Sequence, residues 1–426
     1  MNTKKREPIL VIFGNDLPQE KHTWWERFDV VVAREILREK IETQGRVWVN
    51  LDTYIEAGSV YEASAFVEEL SRLSLPNGER LVKSCMYEGY ELWWVHYTDL
   101  FINFCIPYTQ YKNLLAYIKD FENVHLYEPV FKRLLLCYLG ARECTVRVSG
   151  GSKLKLPTLL PFGMLLQIVL TALFLPIIIL RRRKLMMFIG DKFSGTNDFD
   201  ARMKYIYQEL RERGVPFVEY IRSMESWKTV LMHALKRKRP VVYATAIKFI
   251  ARYVSMVTGG MSRSLRRFDA KKYVTVEDKE VRFKLILATQ YLLTVNEDEW
   301  EIRIMKWITC VSGVETAFIA AGNDRNFHTL IGCKLNNIST VGILHGMASR
   351  HYNVYDFMPA YDGAKRLSVD IYGVWSEWWR QYYIEHSRVH TKEQLQVSGP
   401  MRPFAQDTIS NIQENTHSNP IKVLLV

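Results

Sequence analysis

The stretch Ser339-Thr340-Val341-Gly342-Ile343-Leu344-His345-Gly346 decides the fold class. This apolar run stops abruptly at a histidine and a glycine, which is typical of a buried strand in a parallel α/β sheet. Such sheets bind ligands beyond the carboxyl ends of their strands. We therefore expect His345 at a ligand-binding edge, where an imidazole can accept a proton from a hydroxyl group. Gly346 leaves room beside it. The alternative is a histidine that hydrogen-bonds to loop carbonyls.

The flanking sequence repeats this pattern. Residues 317–321 form a second apolar run, and apolar residues at helical spacing follow it. Residues 315–346 are thus predicted to form a strand–helix–strand unit with a right-handed crossover. Further strands are predicted at 371–375 and 396–402. Together these elements predict a Rossmann-like domain of α/β class over residues 185–404.

The order of motifs in this region points to a family. Strand-His-Gly is followed by Trp375-Ser376-Glu377 with a helix, and then by Val397-Ser398-Gly399-Pro400-Met401-Arg402. Over residues 315–402 this order resembles the two-domain (GT-B fold) glycosyltransferases of bacterial surface polysaccharides. It also resembles the related glycerophosphate polymerases of teichoic acid synthesis and the sugar-nucleotide 2-epimerases.

The resemblance implies a GT-B-like fold with a nucleotide-sugar donor as substrate and no separate cofactor. It implies that His345 is a base or an acceptor ligand, and that Glu377 and Arg402 contact substrate. Arg350 follows His345 on the same loop. A guanidinium there is predicted to hold a phosphate or carboxylate; the alternative is an ordinary surface arginine.

The N-terminal part is predicted to be a separate α/β region, residues 1–150. Residues 8–13 form an apolar strand that ends in Gly14-Asn15-Asp16. Asn15 and Asp16 are therefore predicted to line a cleft at a strand end, and a simple turn is the alternative. A helical apolar pattern is assigned to residues 28–41.

The amino-acid composition limits the classes of partner and site that we expect. The net charge of +11 indicates an anionic partner. Nucleic acid is not expected, because no binding module is recognisable. The six cysteines form no CxxC pair, which predicts reduced, buried thiols. No HExxH motif occurs, and His386 and His390 have no third ligand in view, so no metal site is predicted. The sequence also has no GxSxG nucleophile elbow and no GxGxxG dinucleotide fingerprint.

Residues 156–180 contain no charged residue and are long enough to cross a bilayer as a helix. Basic residues flank both ends, and three prolines interrupt the stretch. Positive residues favour the cytoplasmic side and proline breaks helices. We therefore expect a bent, re-entrant or interfacial segment with both flanks in the cytoplasm, rather than a simple span.

Residues 241–257 are predicted to form an amphipathic helix whose basic face, with Lys248 and Arg252, lies on anionic membrane lipid. A solvated basic face is the alternative. Residues 405–426 are predicted to be a polar linker followed by the first strand of a truncated donor-nucleotide domain. The alternatives are a fragment of a longer chain, or a strand that completes the existing sheet.

These features lead to three hypotheses. The first is a glycosyltransferase at the cytoplasmic face of the cell membrane, which moves a sugar or sugar-phosphate from a nucleotide donor to a lipid-linked or polysaccharide acceptor. The second is a non-catalytic, membrane-bound subunit of a polysaccharide assembly. The third is a sugar-nucleotide epimerase, which needs no membrane segment.

Overall fold

The structure is a computed structural model that describes residues 8–18, 24–150, 162–181, 185–189, 203–221, 227–236, 240–320, 327–344, 346, 349–350 and 354–400. Two parallel sheets organise these residues. The α/β prediction is therefore confirmed.

The first sheet has the strand order β3-β2-β1-β6-β7, and all its strands run parallel. Its strands are β1 (Ile9–Ile12), β2 (Val30–Ala33), β3 (Val47–Asn50), β6 (Asn123–Tyr127) and β7 (Thr145–Ser149). A small antiparallel hairpin, β4 (Met86–Tyr87) and β5 (Tyr90–Glu91), lies between β3 and β6 in the chain. The order reverses at β1, so the neighbouring ends of β1 and β6 form a topological switch point.

The second sheet has the order β10-β9-β8-β11-β12-β13-β14 and is also fully parallel. Its strands are β8 (Leu185–Ile189), β9 (Phe217–Ile221), β10 (Val241–Tyr243), β11 (Thr316–Ala320), β12 (Ser339–Ile343), β13 (Ile371–Val374) and β14 (Leu395–Val397). Its switch point lies between β8 and β11.

Helices connect the strands and cover the sheets. They are α1 (Arg38–Glu42), α2 (Val60–Ser71), α3 (Tyr97–Leu100), α4 (Ile106–Ile118), α5 (Lys132–Ala141), α6 (Phe162–Arg181), α7 (Lys204–Glu212), α8 (Trp227–Lys236), α9 (Ala244–Val257), α10 (Gly260–Arg267), α11 (Lys279–Ala288), α12 (Val295–Val311), α13 (Phe327–Lys334), α14 (Val354–Phe357) and α15 (Glu377–His386). A π-helical turn, Phe101–Cys105, joins α3 to α4 without a break. The 3₁₀ turns Trp24–Arg27 and Leu92–His96 precede β2 and α3.

Local sequence explains the best-defined elements. All four side chains of β1 are buried, as expected for a central parallel strand. The strand–helix–strand prediction for 315–346 is confirmed by β11, α13 and β12, with β11 and β12 paired in parallel. Ser376 accepts a hydrogen bond from the Trp379 amide and so caps α15.

Two expectations are wrong in detail, and a third is not tested. The helix predicted over residues 28–41 contains β2, because the β-branched run Val30-Val31-Val32 pairs with β1. The helix predicted from residue 241 begins only at Ala244, since the first three residues pair with β9 as the edge strand β10. The predicted linker and strand at 405–426 lie outside the described residues.

Candidate functional site

The strand end that carries the predicted catalytic histidine lies at the carboxyl edge of the second sheet. The Leu344 amide donates to the Gly373 carbonyl (2.8 Å), and the Leu344 carbonyl accepts from Trp375 Nε1 (2.5 Å). His345 itself lies outside the described residues. Gly346 is described, and a Cβ built on it meets no heavy atom of the described residues within 4 Å. Those residues therefore leave space beside Gly346.

The other predicted substrate contacts are not gathered at one point. The exposed Arg350 donates its backbone amide to the Tyr382 hydroxyl (3.2 Å). Glu377 begins α15, is exposed, and accepts from Arg380 at 2.8 Å. Arg402 lies outside the described residues. The roles of these three residues stay predictions.

Asn15 and Asp16 lie at the switch point of the first sheet. Both are exposed on the loop that follows β1. The loop after β6 approaches closely, because a Cβ on Gly14 would come within 2.6 Å of Glu128 Oε2. Asn15 and Asp16 thus follow the carboxyl end of β1, and their place in a cleft and their contact with substrate stay predictions.

A second group of polar side chains joins the two sheet regions: His96, Asp298 and His328. His96 ends the 3₁₀ turn before α3, Asp298 lies in the first turn of α12, and His328 is the second residue of α13. Asp298 Oδ2 is 2.8 Å from His96 Nε2, and Asp298 Oδ1 is 2.9 Å from His328 Nε2. One buried carboxylate therefore bridges two imidazoles.

This cluster lies on the ligand-binding side of the second sheet. Residue 320 ends β11, one of the two switch-point strands, and α13 with His328 begins at residue 327. The strand end before His345 lies on the same edge, because β11 and β12 are parallel neighbours. In the first sheet, Tyr111 of α4 contacts Phe13 at the end of β1. His96 precedes α3, which continues through the π-helical turn into α4.

The pKa values of Asp298 and His328 are shifted in opposite directions. Burial opposes the charge on Asp298, but the adjacent His96 and His328 hold the pKa of its carboxyl well below the usual value. Burial also opposes a charge on His328, yet Glu301 and Asp298 together raise the pKa of its imidazole. His328 Nδ1 lies 3.9 Å from Glu301 Oε1. His328 therefore favours the protonated form, between two carboxylates.

His96 has a different environment. Its side chain is 13% exposed and stacks on the Tyr291 ring, with centroids 5.2 Å apart. Its Nε2 is used by Asp298, and Nδ1 has no hydrogen-bond partner among the described residues. An imidazole that donates Nε2–H to a carboxylate keeps a free lone pair on Nδ1. This is the arrangement of a general base oriented by an acid.

Cationic residues border the cluster. Lys248 and Arg252 are exposed on α9, which packs against α12. Arg252 Nε lies 3.8 Å from Glu297, the neighbour of Asp298. The positive charge of Lys248 opposes protonation of His328. An anionic group that reaches His96 would therefore meet cations on α9.

A second histidine–carboxylate group is closed to ligands. Asp356 Oδ2 accepts from Tyr383 (3.0 Å), and its Oδ1 lies 3.5 Å from His390 Nε2. The His390 side chain is completely buried and stacks on Tyr372. This group fixes α14, just after the loop of Arg350, against α15. It serves packing rather than chemistry.

Comparisons with known proteins found no match: no family model, no curated protein and no solved structure is similar to this chain at a significant level. Within the described residues, no group of three or more His, Cys, Asp and Glu side chains is placed to hold a metal ion.

The cluster escapes sequence reasoning because its members are far apart in the chain. His96 and Asp298 are separated by 202 residues, and Asp298 and His328 by 30. One signal for His328 was available: it follows a predicted strand end, as His345 does. No sequence pattern singles out His96 within its aromatic surroundings.

Proposed function

We propose that the chain is a membrane-associated glycosyltransferase that moves a sugar or sugar-phosphate from a nucleotide donor to a hydroxyl of a lipid-linked or polysaccharide acceptor. The observation that carries this proposal is the Asp298-oriented His96, placed where the two parallel-sheet regions meet. The GT-B resemblance of residues 315–402 supports it, because the resembled glycosyltransferases take their sugar from a nucleotide donor.

In this proposal, His96 Nδ1 accepts the proton of the acceptor hydroxyl. The hydroxyl oxygen then bonds to the sugar carbon while the bond between that carbon and the donor phosphate breaks, and the nucleotide leaves with the electron pair. Asp298 holds the ring and stabilises the imidazolium that forms. His345, at the same sheet edge, is the alternative base.

Helix α6 supports the membrane part of the proposal. Among the described helices, α6 alone is long and apolar enough to cross a membrane. Only 17% of its most apolar 18-residue stretch is buried against the rest of the protein. Its buried face contacts β10, α8 and α9 and includes Gln167, Thr171 and Ile178. The opposite face exposes an apolar stripe at helical spacing: Phe162, Leu165, Val169, Leu173, Ile177 and Leu180.

This packing favours a helix that lies in the membrane surface rather than one that spans the bilayer. Thr171 Oγ1 accepts the backbone amide of Tyr243 in β10 at 3.1 Å. If α6 crossed the bilayer in this arrangement, the edge strand β10 would lie at membrane depth, where unpaired strand edges do not occur. The neighbouring α9 exposes Lys248 and Arg252 beside Tyr253 and Met256, a composition suited to anionic lipid.

The catalytic part is tested with His96→Ala in the producing cell. We expect surface polysaccharide to be lost while the protein level and membrane fraction stay unchanged. The matched control is His386→Ala, which removes a half-buried imidazole at the end of α15, away from the cluster. Normal polymer in His96→Ala and loss in His345→Ala would transfer the base role to His345. Normal polymer in both would favour the non-catalytic subunit.

The membrane part is tested by flotation of the purified protein with vesicles. Val169→Glu combined with Leu173→Glu should abolish binding, whereas Ile36→Glu, at a more exposed position on the first sheet region, should not. Replacing Lys248 and Arg252 by Ala should weaken binding to anionic vesicles by about 2 kcal/mol, or about thirtyfold. If neither the α6 variant nor the α9 variant binds vesicles more weakly than wild type, the exposed faces of α6 and α9 are not the membrane-binding surface.

A further inference from the structure

A cavity of about 240 Å³ opens on the first sheet, on the face opposite α5. Leu134 and Leu135 of α5 pack with Val124 and Leu126 of β6 on one face. His125 and Arg147 point to the other, where their Cα atoms pair across β6 and β7. The cavity is lined by Pro8, Arg27, Phe28, Asn123, Val124, His125, Thr145 and Arg147.

The cavity has an excess of positive charge. Arg27 and Arg147 are both exposed at its wall, and neither has a carboxylate partner among the described residues. The Arg27 guanidinium is held 5.2 Å from the centroid of Phe28 and 5.9 Å from that of Trp24. Stacking fixes the plane of a guanidinium and leaves its N–H edge available for an oxyanion.

The floor of the cavity contains a buried imidazole with an unused nitrogen. His125 is 93% buried, and its Nε2 lies 2.6 Å from Ser149 Oγ toward the carboxyl end of β7. Asn123 and Thr145, the first residues of β6 and β7, line the cavity together with His125. Among the described residues, Nδ1 of His125 has no hydrogen-bond partner, and neither has the indole Nε1 of Trp24, which stacks on His125 with ring centroids 4.3 Å apart.

These groups are all able to donate hydrogen bonds. If the Ser149 hydroxyl donates to Nε2, the neutral His125 carries its proton on Nδ1 and becomes a donor. Trp24 Nε1 is a donor only, and both guanidiniums are donors only. Buried donors without partners are rare in folded proteins. Of these groups, Arg27, Arg147 and His125 line the cavity, and a negatively charged group that only accepts hydrogen bonds is the ligand that matches them.

We propose that this cavity binds the phosphate group of a small phosphorylated molecule. Arg27 and Arg147 clamp the phosphate oxygens, His125 donates from below, and the Phe28 ring packs against the remainder of the ligand. The volume suits a ligand smaller than those of ordinary drug-sized pockets. The inference does not rest on the proposed transferase function, because the cavity lies near the amino-terminal ends of β6 and β7, away from His96.

The test is calorimetric titration of the purified full-length chain with inorganic phosphate and, separately, with acetate. Phosphate should bind, and Arg27→Ala and Arg147→Ala should each weaken it about tenfold or more, as expected for a charge-assisted hydrogen bond. Both arginines are exposed, so these variants should fold. Arg133→Ala, on α5 across the sheet, is the matched control and should bind like wild type.

His125→Phe provides a second measurement, because it keeps an aromatic ring beside Trp24 and removes both nitrogens. It should also weaken phosphate binding. The inference is overturned if phosphate does not bind, if the two arginine variants bind as tightly as Arg133→Ala, or if acetate binds as tightly as phosphate.

Discussion

Replacing Asp298 by alanine should weaken the junction between the two sheet regions more than any surface ion pair does. The change leaves two half-buried imidazoles without the carboxylate that accepts from both. Removing one partner of a buried ionic contact costs about 3–5 kcal/mol. Because each 1.4 kcal/mol is a factor of ten, amides that exchange through this opening should lose about 100- to 3000-fold protection.

The natural control is Asp362→Ala. Asp362 Oδ2 lies 2.6 Å from Arg80 Nη1, and this pair also links the first sheet region to the second. It is exposed, with side-chain accessibilities of 36% and 47%, so its loss should cost at most about 1 kcal/mol.

Hydrogen exchange followed by mass spectrometry resolves the two variants. Peptides from α12, α13 and α3 should lose protection in Asp298→Ala and keep it within about fivefold in Asp362→Ala. Equal losses in the two variants would refute the reasoning, since they would mean that burial adds nothing to the Asp298 contact.

Four further outcomes follow from single residues. The pKa of His328 is raised in the folded protein, so the stability that its protonation adds is fully present below the ordinary histidine pKa of about 6.5 and is lost as pH rises through the raised pKa. The amides of α13 should therefore be better protected from exchange at pH 6 than at pH 9. His328→Gln should remove that difference. Thr171→Val should destabilise α6 by about 1–3 kcal/mol, because a β10 amide loses its acceptor, whereas Thr171→Ser should not; equal unfolding midpoints would show that α6 is not docked there. Burial, Arg27 and Arg147 lower the pKa of His125 to about 4. The free energy of unfolding should therefore fall by about 1–2 kcal/mol as pH drops from 6.5 to 4, a value reduced to allow for screening by solvent. An unchanged pH profile in His125→Phe would contradict this. Gly346→Ala should fold like wild type, because its Cβ enters open space, and a folded variant with normal polymer would remove Gly346 from the substrate contacts.

The second sheet was the more predictable part of the fold. The unit β11-α13-β12 combines apolar runs of strand length with helical spacing between them, and both signals are local. In the first sheet, β2 was missed because three consecutive valines fit both a helical pattern and a buried strand. Only the pairing of Val30 with Ile9 decides between them, and pairing is a property of the fold.

The site was less predictable than the fold for a related reason. The sequence indicates which residues follow strand ends, and it placed Asn15 and Asp16 correctly at the end of β1. It does not indicate which residues meet when two separate regions pack together. His96 becomes notable only because α12 and α13 bring Asp298 and His328 to it.

The docking of α6 has a practical consequence for anyone who wants to purify this protein. Deleting an exposed apolar helix is a common route to a protein sample that stays in solution. Here residues 162–181 also cover β10, the outermost strand of the seven-stranded sheet. A shortened chain would present a bare strand edge that can recruit a second molecule. Detergent around the intact chain should therefore give monodisperse protein, and the deletion should give aggregates.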